Sequence, residues 1–268
     1  MSKKLMGGIL WGFFYCIHAF SEEGTLFIYE RQGGHRFSFL HDTFVIQQNG
    51  KVTFSTLSSF DHYQSSPYDI GTYSHVFEKE KVMMWLSEFK KLIEGSKNSF
   101  KAIPGDIVHA VQWGDQEADI IGSESLKRKL NDQLNTVLLD LKKYPQQVIS
   151  LQAKVLVDQT LQIALSNIGS QRLKTLIPIN FKQENSYLAI LGEGGKILWK
   201  NVVKSPKKGN LEILDFEANQ SRTWKFVLNE EVIKEIKSQH SLIILKIDPF
   251  FDNRKQYIVG DLIGKISY

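Results

Sequence analysis

The stretch FIYERQGGHRFSFLHDTFVIQQNGKVTFST, Phe27 to Thr56, decides how the first half of the chain is read. It carries strand-forming residues on both sides of a double glycine, Gly33-Gly34, and a second punctuation at Gln48-Asn49-Gly50-Lys51. Asn-Gly between apolar runs is a strong tight-turn signal. The spacing predicts a strand over Thr25–Arg31 and a hairpin of His41–Gln47 with Lys51–Ser55. Gly33-Gly34 then reads as a hinge, where two strands meet at a sharp bend or bulge without a side-chain clash. On that reading His35, Arg36 and Phe37 stand at a loop tip. The plainer reading makes the glycines only a turn.

Outward from this stretch, helical periodicity appears twice. Val82, Trp85, Leu86, Phe89, Leu92 and Ile93 share one face of a predicted helix over Glu78–Glu94, which Gly95 stops. Leu126, Leu130, Leu134, Val137, Leu138 and Leu141 form the stripe of a second, from Ser123 or Ser125 to Lys143, ended by Pro145. Short strands interleave with turns after Tyr144-Pro145-Gln146. They are predicted at Ile149–Val157, Thr160–Ser166, Leu173–Phe181, Tyr187–Leu191, Ile197–Val203, Leu211–Phe216, Thr223–Leu228, Leu242–Ile247 and Tyr257–Ser267. One short helix, with Asn229 as its N-cap, interrupts them. The pattern predicts an α+β domain over 22–145, an antiparallel sheet with two helices. An all-β immunoglobulin-like sandwich over 146–268 follows it.

The chain has 268 residues, 42% of them apolar, and a net charge of +4. Lys3 and Lys4 supply two of those charges and precede an apolar run, Leu5 to Ile17, with small residues at Ala19 and Ser21. This is a secretory signal pattern over residues 1–21, cut after Ala19 or Ser21. Its apolar run is short of the roughly 20 residues of a membrane span. Export to the periplasm or medium of a bacterium is therefore expected, with no membrane span after cleavage. Cys16 is the only cysteine, and it lies within the signal. The mature chain is expected to hold no disulfide, thiolate nucleophile or cysteine-ligated zinc. A near-neutral mature charge does not match a nucleic-acid-binding surface.

No nucleophile elbow, phosphate loop, zinc-binding helix or dinucleotide fingerprint occurs. Gly192-Glu193-Gly194-Gly195 joins two predicted strands, so it reads as a hairpin turn. His35, His41, His62 and His75 cluster in sequence, and His41-Asp42 and Asp61-His62 are adjacent imidazole–carboxylate pairs. Neighbours on a strand point to opposite faces, so neither pair chelates a metal readily. No cofactor is expected. Leu57–Phe77 carries Phe60, Tyr63, Tyr68, Tyr73 and Phe77 among serines, aspartates and Gly71. Tyrosine with serine and glycine is the composition of binding loops; the alternative is a long loop over the sheet, its aromatics plugging the core. Trp199 and Trp224 fall on predicted strands as sandwich core or edge residues.

Two passages resemble known families. YERQGGHRF (29–37), WLSEFKKLIEG (85–95), WGDQEADII (113–121) and LNTVLLDLKK (134–143) together are similar to emfourin, a small inhibitor of thermolysin-like metalloproteinases. Tyr29, Gly33, Gly34, Leu86 and Leu92 fit its pattern; His35-Arg36 before Phe37 and the Tyr-rich insertion do not. LQIALSNIGSQRLKTLIPINF (161–181) and YLAILGEGGKILWK (187–200) resemble the intracellular proteinase inhibitor family, which has an immunoglobulin-like fold. Asn167, Gly169, Gly195 and Trp199 fit there. The resemblances imply a non-catalytic protein that binds a secreted or periplasmic proteinase. The expected contact residues are Gly33, Gly34, His35, Arg36, Tyr63, Tyr68 and Tyr73. A periplasmic immunity or chaperone-like protein, or a His/Asp hydrolase, stand as alternatives.

Overall fold

A computed structural model describes residues 24–35, 38–56, 69–94, 107–114, 119–121, 124–177, 187–201, 212–246 and 262–268. The described chain is mostly β-sheet, with three α-helices. Its first half is an antiparallel sheet. The strands β1 (Thr25–His35), β2 (Ser38–Gln47), β3 (Lys51–Thr56) and β4 (Ile70–Val76) follow one another as neighbours. On the other side of β1 lie β5 (Ile107–Trp113) and β6 (Asp119–Ile121).

One face of this sheet is covered by α1 (Lys79–Glu94) and α2 (Glu124–Leu141). Alternation sends Phe27 and Tyr29 of β1, Phe44 and Ile46 of β2, and Val52 and Phe54 of β3 to that face. They join the predicted helix stripes in one core. Phe89 of α1 sits at its centre, with ring centroids 4.8 Å from Phe27 and 5.6 Å from Phe44.

Three departures from the sequence reading bear on the sites below. First, β1 pairs with β2 without interruption through Gly33 and Gly34, and the chain reverses between His35 and Ser38. The glycines lie within a strand and do not hinge two strands. Second, the seemingly aperiodic stretch contains β4. Third, β7 (Pro145–Val155) begins at the expected domain boundary and pairs with β4. Pro145 therefore ends nothing but the preceding turn: it opens a strand, a position proline tolerates.

β7 joins the two halves. One of its edges carries β8 (Thr160–Asn167), and the other is divided between β4 at its start and β15 (Leu262–Ser267) near its end. Val148 packs into the helix-covered core, whereas Ile149 and Leu151 belong to the second core. Adjacent β7 residues thus serve two cores on opposite faces of one sheet.

The second core is closed by β10 (Tyr187–Leu191), β11 (Ile197–Lys200), β13 (Ser221–Val227) and β14 (Leu242–Lys246), and by α3 (Glu230–Ser238). A separate pair of strands, β9 (Leu173–Ile177) and β12 (Glu212–Phe216), contributes Leu173, Leu214 and Phe216. Asn229 caps α3 by accepting from the Val232 amide at 2.8 Å. Glu193–Gly195 forms a single 3₁₀ turn between β10 and β11. No helix among the described residues is long and apolar enough to cross a membrane.

Candidate functional site

Among the described residues the β1–β2 pair forms a ribbon that continues past the positions it shares with β3. The last ladder position shared with β3 is Asp42↔Thr56. Beyond it β1 and β2 still pair through Gln32↔His41, Gly33↔Leu40, Gly34↔Phe39 and His35↔Ser38. β5 reaches as far as Gly33.

The base of the ribbon is held by a buried polar cluster. Strand alternation that places Phe27 and Tyr29 on the helix face also places Arg31 there, and Asp42 likewise on β2. Arg31 and Asp42 are opposite each other in the ladder and form an ion pair, with side chains 1% and 2% exposed. The Arg31 guanidinium also donates through Nη1 to Asn131 Oδ1 on α2, at 2.8 Å. The Tyr29 hydroxyl donates to the same oxygen at 3.1 Å. Having one proton to give, Tyr29 then accepts from Nδ1–H of His109 on β5, 2.6 Å away. Lys127, one turn before Asn131, is buried on the same helix face and pairs with Glu124 at 2.8 Å.

Burial first, and two nearby cations second, set the state of the imidazole. Burial, with the charges of Arg31 and Lys127, holds His109 down at about 3, well below its ordinary 6.5. It is a neutral hydrogen-bonding group there. Above pH 6.5 the folded and unfolded states are both neutral at this site, so His109 adds no pH dependence. Below 6.5 the unfolded chain takes up a proton that the folded chain refuses. Stability is then expected to fall by about 1.4 kcal/mol per pH unit, levelling off only as the folded imidazole protonates near pH 3. Urea unfolding between about pH 6.5 and about pH 5, above the main carboxylate range, reads this slope. His41, pushed down by burial, acts in the same direction, so the slope lost in His109→Gln isolates His109.

Of the residues singled out in the sequence, Gly33, Gly34 and His35 lie on β1, past the last described position of the β2–β3 ladder. Arg36, Tyr63 and Tyr68 lie outside the described residues, as does His62. Tyr73 is a correction. It is 3% exposed, on β4, with its ring centroid 6.5 Å from that of Phe54 in the core. Burial raises its hydroxyl pKa, and it offers a partner no contact area. It follows the core-plug alternative.

Asp42 forms its ion pair with Arg31 across the ladder. Among the described residues no group of three or more His, Asp, Glu or Cys could hold a metal ion. Trp199 and Trp224 are partly buried against the second core. His109, Asn131 and Lys127 were not singled out by the sequence. Their signal was nevertheless present: Lys127 and Asn131 share a helical row with Leu130 and Leu134, so two polar residues sit in an apolar stripe. The chain matches no family model and no curated protein.

Proposed function

We propose that the chain is an exported, non-catalytic protein that binds and inhibits a proteinase through the β1–β2 ribbon. One observation carries this: among the described residues the β1–β2 ladder continues past the last position it shares with β3, and its base is fixed by a buried ion pair in ladder register, tied to α2 through Asn131. A contact element fixed before binding loses little entropy on association. Such a surface needs no acid, base or nucleophile.

The Tyr-rich segment adds to this reading. The chain leaves β3 at Thr56 and re-enters β4 at Ile70, next to Gly71↔Thr56 in the ladder, at the same end of the sheet as the ribbon tip. The resemblance of residues 25–143 to emfourin and of 150–230 to the intracellular proteinase inhibitor family points the same way. The latter carries an immunoglobulin-like sandwich for the second half. In favour of that fold, the β9–β12 pair sits outside the large sheet yet feeds the same core.

The test is capture of proteins from secreted and periplasmic extracts on the immobilised chain, followed by inhibition kinetics on any proteinase recovered. A stoichiometric complex is expected. Arg36→Glu and Tyr68→Ala should each weaken it about tenfold or more while the unfolding midpoint stays unchanged. Recovery of no proteinase, or inhibition indifferent to both variants, would sink the proposal.

A further inference from the structure

On the opposite face of the first sheet from the helices, and beside the edge of the second core, lies a groove of about 330 Å³. Its lining is drawn from both halves: Lys51 and Thr53 of β3, Thr72 and Ser74 of β4, and Gln146, Gln147 and Gln171. Three features show that it is built and not incidental.

The first is a β-bulge. The β4–β7 register shifts between Thr72↔Gln147 and Tyr73↔Pro145, leaving Gln146 as the extra residue. Consecutive strand residues normally face opposite sides, but both Gln146 and Gln147 line this groove. A bulge re-aims a side chain in this way.

The second is the wall formed by residues 168–171. Asn167, fully buried, donates to the carbonyls of Gln171 at 2.8 Å and Glu217 at 3.0 Å, and accepts from the Gly169 amide at 2.9 Å. Gly169 lies so close to Gln146 that a Cβ would stand 2.1 Å from its carbonyl oxygen. Gln171 then donates through Nε2 to Gln146 Oε1 at 3.0 Å.

The third is the floor. Thr53 and Ser74 hydroxyls are 3.0 Å apart, and Ser55 and Thr72 hydroxyls 3.1 Å apart, in two cross-strand pairs. The Gln146 and Gln147 amides donate to the Ser74 carbonyl at 3.1 Å and the Arg172 carbonyl at 2.9 Å, which leaves hydroxyls and amide oxygens able to accept from the hydroxyls of a sugar. Among the described residues the lining, which His75 and Val76 complete, contains one side chain of fixed charge, Lys51, and no carboxylate.

We propose that this groove binds an acidic sugar residue, its hydroxyls on the threonine, serine and glutamine groups and its carboxylate on Lys51. The volume suits one or two sugar rings. Its position where the two cores meet is where ligand sites concentrate.

The experiment is an amide-shift NMR titration of the full chain with glucuronate, glucose, acetate and inorganic phosphate. Glucuronate is expected to give saturable shifts at Thr53, Thr72, Ser74 and Gln147, with a millimolar Kd. Lys51→Gln should weaken glucuronate about tenfold. Thr72→Val should weaken glucuronate and leave any acetate response unchanged, and it gives a second reading should Lys51→Gln perturb the fold. Acetate or phosphate matching glucuronate would overturn the proposal in favour of a simple anion site. Glucose matching glucuronate would overturn the acidic class, and the absence of saturable shifts with any probe would overturn the site.

Discussion

Asp42→Ala is expected to cost about 3–5 kcal/mol of folding stability, because it leaves the Arg31 guanidinium charged and buried without its counter-ion. Arg31 is 1% exposed and cannot reach water without opening the cluster. The Asn131 Oδ1 that its Nη1 also reaches is a neutral amide oxygen, which cannot replace a carboxylate. Urea unfolding near neutral pH measures the loss directly. The double replacement Arg31→Met with Asp42→Leu discriminates between an ion-pair effect and a general intolerance of the site. Removing both charges together should recover most of the stability, since an apolar pair of similar volume is often neutral or better than a buried ion pair. If the single and double variants are equally damaged, the cluster is held by packing and not by charge.

Gly71→Ala is the second large effect. Gly71 has φ +132°, a backbone conformation hostile to side chains, and a Cβ there would lie 2.0 Å from the Gln147 carbonyl oxygen and 2.8 Å from the Val148 Cα. Both obstacles are backbone atoms, so no rotamer change relieves them. The expected loss is about 4 kcal/mol or more, with hydrogen-exchange protection falling first along Ile70–Tyr73 and its partners on β7. Gly194→Ala is the comparison. Gly194 also has positive φ, +66°, but nothing stands within 4 Å of its Cβ position. It should cost only about 1–2 kcal/mol, the backbone penalty alone. Equal losses at the two positions would mean that β4 and β7 can separate freely.

These two positions mark where the sequence was and was not legible. The helices α1 and α2 were readable because Val82, Trp85, Leu86 and Phe89, and Leu130, Leu134 and Leu141, repeat at helical spacing against a single apolar layer. The β2–β3 hairpin was readable because Asn49-Gly50 is local chemistry. The start of β7 was not, because Gln146 and Gln147 carry no apolar alternation; those residues form a strand through pairing with β4, not through burial. β4 escaped for a related reason: Gly71, Thr72 and Ser74 look like loop residues, and Ile70 and Tyr73 are its only buried side chains. Each strand is defined by the other, so neither could be seen alone. The candidate site divides similarly. Gly33 and Gly34 read as a hinge, but they lie within the continuous β1–β2 ladder. The ion pair at its base required knowing the register that sets Arg31 opposite Asp42.

The divided edge of β7 has a consequence for assembly of the chain. β8 follows β7 directly and pairs as a local hairpin, but the Ala153 region waits for β15, with a contact spanning 114 residues in the Ser267–Ala153 hydrogen bond. Contacts of such sequence separation form slowly, because the loop-closure entropy must be met first. Until β4 and β15 are both seated, β7 presents an unfilled row of backbone donors and acceptors. Refolding at high concentration is therefore expected to give some strand-exchanged dimer, in which a second molecule's β15 fills that row; size-exclusion chromatography of protein refolded at low and high concentration checks it.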